Sequence, residues 1–278
     1  MLVGKEKINK LNSQNTKEYN DYLRENNSLV TIYQDKKDKY NNNINIINSE
    51  KISMRDELRK LYDFLAFVGG SLERKVSMVD FVEEAPAPNM DADIEDAAEE
   101  GIPSDVPIFG IFVNKNRMKK LETGIYLKSI DYKKNLKKKR QAVARMEDCA
   151  DIAKMYRDVL ATLKDAIREK IIPEFEYIRA FLVADAIREA YVAGNSFKNI
   201  KPCKIVEYKD TKYNSHYQFV KNTFDFLDLC KAFFSKAILT ELMSQEEITD
   251  TQREEFNQSI YAIQDKLALL ENDMEVKH

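Results

Sequence analysis

The chain has 278 residues, 33% of them charged, with 7 Gly, 6 Pro, no Trp and a formal net charge of −3. So few turn formers argue against a sheet protein, and a hydrophobic fraction of 44% argues against global disorder. The near-balanced charge points by itself to neither nucleic acid nor membrane, and three scattered cysteines (Cys149, Cys203, Cys230) without a CxxC or His-rich companion fit buried thiols in a reducing compartment.

The N-terminal MLVGKEKINKLNSQN has no apolar run long enough for a signal peptide, and no window approaches ~18 uninterrupted apolar residues. The expected location is the cytoplasm, or a particle assembled inside the cell. From Tyr19 to Val68 apolar residues recur at alternating steps of four and three. One track is Tyr19, Asn26, Tyr33, Tyr40, Ile47, Met54, Leu61, Val68; the other is Leu23, Val30, Lys37, Ile44, Lys51, Leu58, Leu65. That spacing predicts a helix with a seam buried against another helix. Asn is abundant up to position 48 and is a mediocre helix former, so the seam rather than propensity must hold this stretch. Gly69-Gly70 stands where a helix stop belongs, and Tyr19–Val68 would span roughly 75 Å.

Between Val76 and Asn114 there is no Lys or Arg, while ten acidic residues and four of the prolines fall there. The middle, APAPNMDADIEDAAEEG, reads as an extended linker. Its flanks carry apolar patches, one around Val79, Phe81 and Val82 and one around Ile108, Phe109, Ile111 and Phe112. These seven residues are the expected partner-binding tip. Asp91, Asp93, Glu95 and Asp96 fail the calcium-loop pattern, because Asp96 stands where Gly is needed and Ile102 where Glu is needed.

A second seam starts at Met118. One track is Met118, Ile125, Tyr132, Lys139, Met146, Ala153, Leu160, Ile167; the other is Leu121, Lys128, Asn135, Ala142, Cys149, Tyr156, Leu163, Lys170. Two seams of equal length predict an antiparallel hairpin with Val68 near Met118, Ile47 near Lys139, Lys51 facing Asn135, Met54 facing Tyr132 and Ala153 opposite Tyr33. The same stretch is basic: residues 115–145 hold twelve Lys and Arg against Glu122 and Asp131. Lys133, Lys134, Lys137, Lys138, Lys139, Arg140 and Arg145 form a candidate nucleic-acid-binding set, gated by the acidic linker, set against the plainer reading of a solvated helix face.

Pro173 marks a break or kink. FEYIRAFLVADAIREAYVAG reads as a shorter helix with a broad apolar face, closed by Gly194. KIVEYK is a candidate short strand, residues 217–243 are strongly apolar, and Ser244-Gln-Glu-Glu247 matches a capping box before a last helix carrying Phe256, Ile260, Ile263, Leu267, Leu270 and Met274. His216 and His278 are the only histidines, and no phosphate-loop, dinucleotide, zinc-protease or nucleophile-elbow motif occurs. The resulting expectation is a mainly α protein. Residues 1–172 form a long antiparallel coiled-coil hairpin with an irregular acidic tip and connector at 69–113, and residues 173–278 form a C-terminal helical bundle. Its expected role is non-enzymatic: a scaffold, adaptor or structural subunit without cofactor or metal, binding protein partners or further copies of itself through tip and bundle. Nucleic-acid association through the basic stretch is the first alternative. A membrane-active rod with an apolar tip is the second, and ten carboxylates between the apolar flanks make it costly.

Overall fold

The computed structural model describes residues 2–69, 115–194, 214–234 and 248–275. The fold is mainly α, and the described residues contain no strand. The elements are α1 (Leu2–Gly69), α2 (Lys115–Ala166), a π-helical turn (Ile167–Ile171), α3 (Ile172–Val192), α4 (Asn214–Phe234) and α5 (Asp250–Glu275). The predicted strand KIVEYK, the seven tip residues and Ser244–Glu247 lie outside the described residues. The chain divides into two compact units, the first formed by residues 1–41 and 88–151, the second by residues 42–87 and 152–278.

Both units contain a stretch of α1 beside a stretch of α2. In the first unit the Lys7 amine pairs with Glu122 at 3.1 Å, Asn135 Nδ2 donates to Tyr22 Oη at 3.1 Å, and Lys139 Nζ donates to Asn26 Oδ1 at 2.5 Å. Arg140 Nε donates to Glu25 at 2.7 Å and Lys36 Nζ to Glu147 at 2.7 Å. In the second unit Arg157 donates to Asn43 Oδ1 at 2.8 Å and Lys164 to Glu50 at 2.5 Å. Partner numbers climb together along the two helices, with separations of 111 to 114 in five of these pairs. Only helices running in the same direction give a constant separation; an antiparallel pair gives a constant sum. Within each unit α1 and α2 are therefore parallel, which corrects the antiparallel expectation and its register. Lys139 meets Asn26 rather than Ile47, Asn135 meets Tyr22 rather than Lys51, and Tyr132 stacks on Tyr22 with centroids 4.9 Å apart rather than facing Met54.

The predicted seams themselves are present. Tyr33, Tyr40, Ile44, Ile47, Met54, Leu58, Leu61 and Leu65 of α1 are buried, as are Ala142, Met146, Cys149, Ala153, Tyr156, Leu160, Leu163 and Ile167. Closer to the N-terminus, Tyr19, Leu23 and Asn26 are only half-buried and Val30 is 37% exposed. The Asn-rich half of α1 is helped by surface pairs one turn apart, such as Arg24 with Asp21 at 2.5 Å and Lys39 with Asp35 at 2.8 Å. Each such pair adds ~0.2–0.5 kcal/mol of helix stability.

Pro173 does not break the helix. A proline ring collides with the carbonyl four residues back and offers no N–H to it. The π-turn just before it widens the spiral, and the Ile172 N–H reaches back to Ile167 O. Ile167, Ile171, Ile172 and Phe175 consequently stay buried on one continuous side. The second unit is closed by aromatic stacking: Phe64 on Phe175, Phe175 on Phe219, Tyr156 on Phe233 at 4.8 Å and Phe233 on Phe256 at 5.7 Å. Gly194, at φ 69°, ends α3 as expected, with the Ala193 and Gly194 amides donating to Glu189 O and Tyr191 O. At the start of α5 a capping box is formed by Thr249 and Gln252. The Gln252 amide donates to Thr249 Oγ1 at 3.3 Å, and the Thr249 amide donates to Gln252 Oε1 at 3.0 Å.

Candidate interaction surfaces

The seven basic candidates of α2 differ in burial and in the partners they have. Lys133, Lys134, Lys137 and Lys138 are exposed. Their spacing of one and four residues puts them on one side of the helix. None of the four has an ion-pair or hydrogen-bond partner among the described residues. Of the other three, Lys139 and Arg140 contact α1 residues. Lys139 is 1% exposed, and its desolvation lowers the amine pKa. Arg140 is bound to Glu25. Arg145 is half-buried, close enough to Cys149 for its charge to oppose the effect of burial on that thiol.

The first unit has a polar seam around these residues. Tyr19, Tyr22 and Tyr132 form an aromatic cluster, with Tyr19 and Tyr132 centroids 5.5 Å apart. Ser129 Oγ donates to Glu18 beside it. The Tyr132 hydroxyl and Asn15 Oδ1 are buried without a hydrogen-bond partner. Burial raises the Tyr132 phenol pKa, with further upward contributions from Tyr19 and Tyr22. An amide, a phenol and an ammonium at interior positions cost desolvation wherever they are not paired. This half of the helix pair is correspondingly the less tightly closed.

Cys149 and Cys230 are free and buried. Burial pushes the Cys149 thiol up to about 11, with Asp148 adding to the rise. Cys230 is raised by burial as well. Such thiols are protonated at neutral pH and poor nucleophiles. His216 is buried against aromatic rings, 5.3 Å from the Phe181 centroid and 6.4 Å from that of Tyr177.

One surface went unrecognised in the sequence. The broad apolar face of α3 is interior only at Ile172, Phe175, Ile178 and Leu182. On the other side Tyr177, Ile187 and Tyr191 are 45%, 46% and 75% exposed, with Ala180 and Ala184 exposed between them. The signal was present as a face too wide for one contact; which half lies inside depends on the partners of α3, which local spacing does not encode. Arg179, at the margin, sits 5.4 Å from the Phe67 ring centroid as a cation–π contact. Among the described residues no helix is long and apolar enough to cross a membrane. Comparison with protein-family models, with curated proteins and with solved structures returned no match.

Proposed function

We propose that the protein is a non-enzymatic coiled-coil scaffold or adaptor, a subunit of a larger assembly in the cytoplasm or in an intracellularly assembled particle. The single observation that supports this reading is the exposed apolar strip of α3, Tyr177–Ala180–Ala184–Ile187–Tyr191. Monomeric proteins seldom leave a continuous apolar helix face in water, and a helix face of this spacing is a common protein-docking element. The apolar segments at Val79–Val82 and Ile108–Phe112 are further partner sites in this reading. The test is capture of partners from the native host on the full chain, beside Ile187→Asp and Tyr191→Asp. Partners specific to the wild-type chain are lost in both variants while far-ultraviolet circular dichroism stays unchanged. Identical capture by all three chains refutes the assignment of this face.

The four solvent-facing lysines favour a second reading, association with nucleic acid. Clustered unpaired ammonium groups release counterions from a phosphate backbone, so retention should fall steeply with salt. Charge reversal at Lys133, Lys134, Lys137 and Lys138 abolishes retention in this reading, whereas reversal at the α1-facing Arg140 has little effect. Retention insensitive to salt or to the four reversals sinks it.

A further inference from the structure

The exposed strip of α3 alternates large and small residues along its length. Tyr177, Ile187 and Tyr191 are large, Ala180, Ala184 and Gly194 are small, and all six are exposed. Their steps of three and four residues place them in one line along the helix and just past its end. Turned end for end, this line is its own complement. When Ala184 lies against the partner's Ile187, Ala180 lies against the partner's Tyr191 and Tyr177 against the partner's Gly194. A two-fold axis repeats the same three contacts in reverse. Every layer then joins one large residue to one small one, and the two helix axes keep an even spacing. A parallel pair would set each tyrosine on its own copy and each alanine on its own copy, forcing wide and narrow layers onto one pair of axes.

The margins of the strip agree with this register. Val183 falls beside the partner's Ala190, and Phe181 beside the partner's Arg188. Arg188 donates to Asp185 of its own helix at 2.6 Å, which balances its charge at the edge of the strip. A guanidinium placed there lies over the facing phenylalanine ring as a cation–π contact. Glu176 falls beyond the overlapping residues, so the pairing buries no unpaired charge. The rings of Phe181 and Tyr177 already rest on His216, with centroids 5.3 and 6.4 Å away, so part of the surface is shaped before any partner arrives. At roughly 200 Å² for each whole residue, the exposed parts of Tyr177, Phe181, Val183, Ile187 and Tyr191 give a symmetric pair about 1,000 Å² of covered surface. Specific interfaces begin at about that size. We infer that α3 pairs antiparallel with α3 of a second copy of this chain, Ala184 against the partner's Ile187. The inference rests on the α3 reading proposed above and names the occupant of that face.

The test is light scattering on the full chain over a concentration series, together with interchain disulfide formation in a Cys203→Ser background. Wild type should pass from the 32.4 kDa chain to its dimer as concentration rises. Ala184→Arg should stay monomeric, and because the position is exposed the fold is retained, which circular dichroism checks. Under mild oxidation a mixture of Ala180→Cys chains and Tyr191→Cys chains should join through the facing pair. Neither variant should close alone, because in this register each position and its own copy are about 16 Å apart along the axis. Cys149 and Cys230 are buried and should not compete. A monomeric wild type, a dimer that survives Ala184→Arg, or closure of either cysteine variant alone overturns the inference. A monomeric chain that still captures host proteins through Ile187 and Tyr191 overturns it too, while leaving the functional reading standing. A dimer that captures nothing supports the pairing and removes the foreign partner.

Discussion

Lys139 offers the sharpest test of the energetics, because it sits where the seam expects an apolar side chain. It is 1% exposed, and its ammonium donates to the Asn26 amide oxygen at 2.5 Å. An ammonium held by a neutral amide has lost its hydration shell without gaining an ion pair, and desolvation lowers its pKa. The sign follows directly. A lysine with a depressed folded pKa lowers stability while both states are charged, and stability rises as pH climbs from the folded towards the unfolded value of 10.5. Replacing a buried polar pair by apolar groups of similar volume is often stabilising by 1–4 kcal/mol, and burying a Leu or Met side chain is worth ~1.5–3 kcal/mol. Asn26 is half-buried, so the gain there is smaller. Lys139→Met with Asn26→Leu should therefore stabilise the helix pair of the first unit by about 2 kcal/mol. Lys139→Met alone should gain less, since it leaves the Asn26 oxygen short of a donor. Global unfolding of a two-unit chain need not be two-state, so the assay is native-state hydrogen exchange of amides in residues 20–40 and 130–150. About 2 kcal/mol corresponds to roughly 30-fold slower exchange in the double variant. Unchanged or faster exchange there would refute the claim that the polar seam weakens this unit.

Three further outcomes follow from the same structure. Gly124 lies within α2, and a Cβ added there meets nothing within 4 Å, so Gly124→Ala should raise stability by about 0.5–1 kcal/mol, read as a higher melting temperature. Thr249→Ala removes the capping box of α5 and should cost ~1 kcal/mol, visible as a lower denaturation midpoint; Ser244→Ala serves as the comparison and should match wild type if the Thr249 box is the operative one. Burial raises the pKa values of Cys149, Tyr40 and Tyr156. For Cys149 the unfolded thiol gives up its proton near 9.0 and the folded one near 11, so stability should decline as pH rises through that window. A Cys149→Ala chain should show a flatter decline, and equal slopes in a pH series of urea titrations would count against the assignment.

Much of the fold could be read from spacing alone, and the part that could not is instructive. Tyr33, Tyr40, Ile47, Met54 and Leu61 are seven residues apart and buried, as are Met146, Ala153, Leu160 and Ile167. Recurrence at seven encodes which side is covered and says nothing of the direction of the helix that covers it. Direction was legible only by comparing polar pairs under both alignments. The antiparallel register set Ile47 beside Lys139, leaving an ammonium against an isoleucine. The parallel one sets Asn26 beside Lys139 and Tyr22 beside Asn135, so these two seam side chains each find a polar partner. Pro173 was misread for a related reason: a break is the outcome for an isolated helix, whereas the buried isoleucines on both sides of the π-turn favour continuity. The capping motif occurs twice within nine residues, at Ser244–Glu247 and Thr249–Gln252, and the motif alone does not choose between them. The basic stretch was legible as charge but not as faces, because Lys139 and Arg140 differ from Lys137 and Lys138 only by a turn of the helix wheel.

Parallel pairing in the first unit can be tested without reference to any other part of the fold. Ser129 contacts Glu18, and Glu147 contacts Lys36. In a parallel pair both contacts hold at once. An antiparallel pair aligned on Glu18 and Ser129 would carry residue 147 about 27 Å in one direction from that point and residue 36 about 27 Å in the other. Two double variants in a Cys203→Ser background, Glu18→Cys with Ser129→Cys and Lys36→Cys with Glu147→Cys, should therefore both be closed by a short bis-maleimide. Cys149 and Cys230 are buried and should not compete. The substituted positions are on the margins of the seam, and the hydrogen bond and exposed ion pair they remove contribute little to stability, so both variants should fold. Closure of one pair without the other would restore the antiparallel arrangement. Closure of both is the outcome that only a same-direction pairing of α1 and α2 in this unit allows.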